Sequence, residues 1–117
     1  MIADTLQKIV ENSPGAQGAI LVDADGIVID QFAGDSSVDL ESMAQELSAR
    51  LLALRQMAES LGMGDLREFV LKADDATLAV YFLNNNMFAV LVLGAVANLG
   101  KGRWKLRAAA ASLNSEL

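Results

Sequence analysis

A chain of 117 residues has room for one hydrophobic core, and 53% hydrophobic residues with a mean hydropathy of +0.34 is rich for a soluble protein of this size. A net charge of −6 argues against a nucleic-acid partner, whose phosphates need a basic face. There is no cysteine, hence no disulfide, thiolate nucleophile or zinc ribbon, and no histidine, the commonest general base and transition-metal ligand.

The apolar excess implies either a sheet covered on both faces or a surface buried by a partner. Charge is uneven: after residue 100, Lys101, Arg103, Lys105 and Arg107 face only Glu116, so the acidic excess lies in the rest of the chain. Residues 1–12 have neither the basic start nor the apolar core of a secretion signal. The longest apolar run, residues 87–97, is too short to span a bilayer. A soluble, cytoplasmic protein without direct membrane insertion is expected.

In chain order, Ile2, Leu6, Ile9 and Val10 fall at helical spacing and predict a short amphipathic helix, ended by Asn12-Ser13-Pro14-Gly15. Residues 18–22 and 27–32 are β-branched runs on either side of Asp23-Ala24-Asp25-Gly26, which predicts a hairpin. Residues 39–62 form the longest helical pattern. Leu40, Ala44, Leu47, Leu51, Leu54, Ala58 and Leu61 alternate steps of four and three and so share one face. Ser36, Ser37 and Asp39 offer capping oxygens, Glu41 sits in the first turn, and Gly62 can take the left-handed conformation that stops a helix.

The flank of this helix is unusual. Met43, Arg50 and Met57 lie on one shoulder of the stripe, Ala49 and Ala53 lie just beyond, and Leu52 is almost opposite. The alanines have two readings: helix propensity alone, or space for a second helix backbone to approach closely. Arg50, inside an apolar margin, reads as a snorkelling side chain rather than a catalytic one.

Three strands follow in series, at residues 66–73, 77–83 and 87–93, joined by Asp74-Asp75-Ala76 and Asn84-Asn85-Asn86. The last is apolar at every position and belongs near the sheet centre. The first, with Arg67, Glu68 and Lys72, reads as an edge that turns Phe69, Leu71 and Ala73 to one face. A closing helix over residues 99–115 presents Leu99, Leu106, Ala110, Leu113 and Leu117 as its core stripe, with Trp104, Ala108 and Ala111 nearly opposite. The order helix-strand-strand-helix-strand-strand-strand-helix predicts one domain over residues 1–117, a three-layer α/β/α sandwich on a five-stranded antiparallel sheet.

Two motifs invite ligand readings. Aligned on Gly26, Asp23-x-Asp25-Gly26 would place Leu21 and Phe32 where a calcium loop needs Asp and Glu, so it reads as a turn. Residues 94–102 have five residues between Gly94 and Gly100 instead of four, and Gly102 stands where a phosphate loop needs a Mg²⁺-holding hydroxyl. The carboxylates sit in turns and near helix starts, and no base lies near any serine. The expectation is a protein with no cofactor, no nucleotide or metal of its own, and no active site.

The ordered set of Gly18-Ala-Ile-Leu-Val-Asp-Ala-Asp-Gly26, the long Leu/Ala-rich helix ending in Ser60-Leu61-Gly62-Met63-Gly64, the strand opened by Leu66-Arg67-Glu68, and Ala97-Asn98-Leu99-Gly100 before a basic helix resembles the Roadblock family. That family includes dynein light chains and bacterial and archaeal partners of small GTPases. The resemblance implies a longin-like or profilin-like fold and a two-fold dimer in which the long helices lie antiparallel and the third strands pair edge to edge. Carried onto this chain, the dimer interface would take Met43, Glu46, Ala49, Arg50, Ala53, Met57, Phe69 and Leu71. A Ras-like small GTPase would dock over the helix layer at Leu52, Ser48 and Glu59, near Gln45 and Gln56, with Trp104, Lys101, Lys105 and Ala108 as the competing surface. The resemblance implies a platform that biases the GTPase's nucleotide state, including acceleration of hydrolysis without a catalytic residue of its own. The alternative it allows is a structural scaffold or light-chain subunit with no effect on turnover.

Overall fold

The computed structural model describes residues 1–34 and 39–117. The elements follow the expected order: α1 (Ile2–Glu11), β1 (Ala16–Asp23), β2 (Val28–Ala33), α2 (Leu40–Ser60), β3 (Glu68–Lys72), β4 (Ala76–Asn84), β5 (Met87–Gly94) and α3 (Leu99–Ser115). The five strands form one antiparallel sheet in the order β2-β1-β5-β4-β3. The all-apolar run is thus the middle strand.

Strand alternation sends side chains into two cores, one on each face of this sheet. From β1 and β5, Ala19, Leu21, Ala89, Leu91 and Leu93 pack with Leu6, Ile9 and Val10 of α1 and Leu106 and Leu113 of α3. The intervening residues Ile20, Val22, Phe88, Val90 and Val92 pack against Leu40, Ala44, Leu47 and Leu51 of α2. Both faces of β1 and β5 are therefore dry, which accounts for their lack of polar alternation.

The two sheet edges differ. β3 pairs with β4 in unbroken register from Glu68↔Tyr81 to Lys72↔Thr77. It is shorter than the expected 66–73: Leu66 packs at the margin of the α2-side core, and the Ala73 amide already closes the turn onto the Ala76 carbonyl at 2.9 Å. At the other edge, β2 pairs Asp30 with Leu21 and Val28 with Val22, leaving Ile29 as an extra residue. This bulge lets Val28 and Phe32, four residues apart, pack into opposite cores.

Both ends of α2 are fixed by hydrogen bonds. Asp39 caps its start, accepting from the Ser42 hydroxyl at 2.8 Å and the Ser42 amide at 3.2 Å. Those bonds, the hydroxyl first, hold the Asp39 carboxyl below its ordinary pKa of 3.8. Ser36 and Ser37, the other capping candidates, lie outside the described residues. At the C-terminus the Gly62 amide donates to the Glu59 carbonyl and the Met63 amide to the Ala58 carbonyl, with Gly62 at φ +70°. This double bond pattern needs a left-handed residue, and glycine supplies it without a Cβ clash.

Two stripe positions depart from expectation. Leu61 is 66% exposed because it caps α2 beyond its last helical residue, and Leu117 is exposed because α3 has already ended at Ser115. In α3 the stripe gains Gly102 instead. A Cβ there would sit 3.1 Å from Leu91 Cδ2 and 3.2 Å from Leu93 Cδ2, so the missing side chain sets how closely α3 approaches β5.

Three stability effects are expected. Gly102→Val overpacks that contact and destabilises by about 1–3 kcal/mol. Gly100→Ala, with only Asn98 Oδ1 near at 3.7 Å, stabilises by roughly 0.5 kcal/mol, both measured by urea melts. Asp39→Ala lowers stability at pH 7. Because the folded-state pKa lies below 3.8, the ionised cap contributes fully above that pH and is lost as pH falls through the folded value, so the deficit of the variant narrows toward pH 2.

Candidate functional site

The turns that resembled ligand loops are held by hydrogen bonds within the chain. Asp23 Oδ1 accepts from the amides of Asp25 at 2.9 Å and Ile27 at 3.0 Å, tying the hairpin turn together. In the loop before α3, the Gly94 amide donates to the Gly15 carbonyl, the Ala97 amide to Gly94, and the Asn98 amide to Pro14. The Asn98 side chain caps α3 by accepting from the Lys101 amide at 3.0 Å. The Gly94 and Asn98 amides thereby pin this loop to the α1–β1 turn.

The open surface is on the α2 side. On the opposite face, α1 lies over β1 and β2 while α3 lies over β4 and β5, and the two helices touch each other. On the α2 side a single helix lies closest to β1 and β2. Five strands spaced about 4.8 Å apart span about 19 Å, and one helix is only about 10 Å wide. The α2-side faces of β3 and β4 are left partly bare: Leu71 is 48% exposed, and its register partner Leu78 is only half-buried.

The interface candidates from the sequence divide around this gap. Met43 and Phe69 are half-buried and pack at the margin of the α2-side core, so they belong partly to the chain's own interior. Ala49, Ala53 and Met57 are exposed on the adjoining flank, Met57 by 52%. Glu46 and Arg50 are also exposed and pair with each other one turn apart, Arg50 Nη1 lying 2.8 Å from Glu46 Oε2 and 2.9 Å from the Glu46 carbonyl. The result is a shelf of small and flexible apolar side chains beside a regular sheet edge.

The docking candidates lie on the outer and far side of α2. Leu52 is 54% exposed and Glu59 is exposed. Ser48 differs from the expectation of a free polar position: its hydroxyl donates to the Ala24 carbonyl at 3.2 Å and its Cβ packs toward Gly26, so it holds α2 to the β1–β2 turn. Sequence reasoning missed Arg55. Its Nη1 donates to the Asn85 carbonyl at 2.9 Å and its guanidinium carbon stands 5.4 Å from the Phe82 ring centroid. Together with Ser48, Phe82 and Met87 it lines a small depression beside Leu52. Its place three residues after Leu52 is the only signal the sequence offers.

With this geometry in view, the family is decided by the Roadblock/LC7 domain model, which matches residues 2–93. The chain belongs to the Roadblock/LC7 family. Among solved structures, MglC from Myxococcus xanthus is 31% identical, with 97% of each chain covered and a TM-score of 0.71. An MglB described with a tetrameric arrangement is 24% identical over 96% of this chain and 84% of its own, with a TM-score of 0.87. Profilin II of Acanthamoeba castellanii shares the fold at 12% identity, covering 88% of this chain and 89% of its own, with a TM-score of 0.53. No curated protein sequence matches the chain. The Roadblock fold here is the α/β/α sandwich expected from the order of elements. No helix among the described residues is long and apolar enough to cross a membrane.

Proposed function

We propose that this Roadblock chain is a homodimeric platform that binds a Ras-like small GTPase and biases its nucleotide state without an active site of its own. The observation that carries the reading is the half-covered sheet face. An antiparallel α2 from a second copy would cover what one helix leaves bare, with Ala49 and Ala53 allowing close approach and Met57 and Leu71 supplying apolar area. β3 is the edge suited to sheet extension, being regular and apolar at its centre, whereas β2 is bulged. Obligate interfaces of this kind commonly bury more than about 2,000 Å² in total.

The dimer would place two copies of Leu52 and Glu59 on the outer layer as a shallow symmetric saddle, with Ser48 bracing the turn beneath. The GTPase docks there in this reading. Family membership and the fold supported by MglB and MglC make a regulatory partner the natural occupant.

Light scattering at micromolar concentration is expected to give twice the 12.4 kDa chain mass, and a value near 12.4 kDa rules the dimer out. Ala53→Glu drives a long charged side chain into the helix contact and weakens the dimer by about 2 kcal/mol, roughly thirtyfold in Kd. Glu59→Ala, off the contact, changes it by less than about 0.5 kcal/mol. Equal Kd values for the two variants would place the interface elsewhere.

A platform that biases a nucleotide state must bind one nucleotide form of its partner more tightly, since linkage is reciprocal. The dimer is therefore expected to distinguish the same organism's Ras-like GTPase loaded with GDP from that loaded with a non-hydrolysable GTP analogue by about 5- to 150-fold. Leu52→Asp, checked for folding and dimer mass, should weaken the preferred complex. Binding with equal affinity to both forms would leave the scaffold reading in its place.

A further inference from the structure

The opposite layer carries a surface that the proposed platform does not use. Trp104, on the outer side of α3, is 64% exposed. It forms a ridge between two grooves. One, of about 300 Å³, runs between α1 and α3 and is bordered by Lys8, Ile9, Lys105 and Ala109. The other, of about 200 Å³, lies between α3 and β3 and is bordered by Glu68, Arg103 and Arg107.

The charge around the ridge is one-sided. Arg103 is paired with Glu68 at 3.5 Å, while Lys8, Lys101 and Arg107 make no ion pair among the described residues. The Lys105 ammonium rests 5.5 Å from the indole centroid. In a chain of net charge −6 this concentrates free positive charge around the one tryptophan. Ala108, exposed beside the indole, leaves room for a ligand backbone to lie close to the helix. Tryptophan and arginine are the side chains that most often anchor protein contacts, and unpaired cations at the rim steer an acidic partner into place.

We infer that the Trp104 ridge is the docking site for a short acidic segment of a partner protein. An apolar side chain of that segment packs against the indole, and its carboxylates meet Lys8, Lys101, Lys105 and Arg107. The grooves favour a polypeptide over a bilayer, because a flat lipid surface would meet the ridge and leave both grooves empty. A single indole flanked by alanines also offers far less apolar area than interfacial helices insert. The site is independent of the α2 saddle, so either can exist without the other.

The test is selection of random phage-displayed dodecapeptides on the full chain, with binders counter-screened on Trp104→Ala. Acidic peptides containing at least one large apolar residue are expected to dominate. A synthetic copy of the strongest binder should lose roughly thirtyfold in affinity on Trp104→Ala. Arg107→Glu should weaken binding and reduce its dependence on salt, and both variants should melt as the parent does because the two side chains point outward. Vesicles containing phosphatidylserine serve as the second probe and should not co-sediment with the chain. Failure to enrich acidic peptides, binding that survives Trp104→Ala, or Trp104-dependent vesicle binding would each overturn the proposal.

Discussion

A five-stranded sheet is wider than one helix, and the rest of this structure follows from how that mismatch is met on its two faces. On one face α1 and α3 lie side by side and seal the core formed by β1 and β5. On the other α2 alone covers the β1–β2 side, leaving Leu71 exposed and Leu78 half-buried. Burying apolar area of this kind contributes about 25 cal/mol per Å², and the proposed dimer would draw on that strip.

Most of the fold was legible because period-2 and period-3.6 patterns report burial directly. The unbroken run of residues 87–93 implied a central strand, and β5 lies between β1 and β4. Gly62 marked the end of α2 because few other residues take its backbone angle. What escaped was whatever depends on contacts distant in sequence. Gly102 carries no hydropathy signal, yet it faces Leu91 and Leu93 across the closest approach of α3 to the sheet. Ser48 looked like an ordinary exposed helical serine until its bond to Ala24, twenty-four residues away, came into view. Leu61 and Leu117 continued their stripes in phase but stand beyond the last helical turn.

The candidate site was legible to a similar depth. Helical phase separated Ala49, Ala53 and Met57 from the sheet-facing stripe, and the structure leaves those three exposed. Phase says nothing of which strands lie beneath a helix, so the bare ground over β3 and β4 could not be read. It also could not show that Met43 and Phe69 are shared between the margin of the chain's own core and the shelf. The two outer layers differ in chemistry as well: Leu52 lies among polar neighbours on α2, while Trp104 lies among free cations on α3. If both proposed sites are real, their separation by the sheet would allow them to be occupied together.

The extra residue at Ile29 has a consequence for how far self-association can run. A flat sheet with two regular edges could add copies at both ends without limit, the geometry of a fibre. Here a β3-to-β3 junction would consume each copy's regular edge and yield a ten-stranded sheet terminated on both sides by a bulged β2. The irregularity that sends Val28 and Phe32 into opposite cores would then also act as a stop, restricting growth through the sheet to a closed pair.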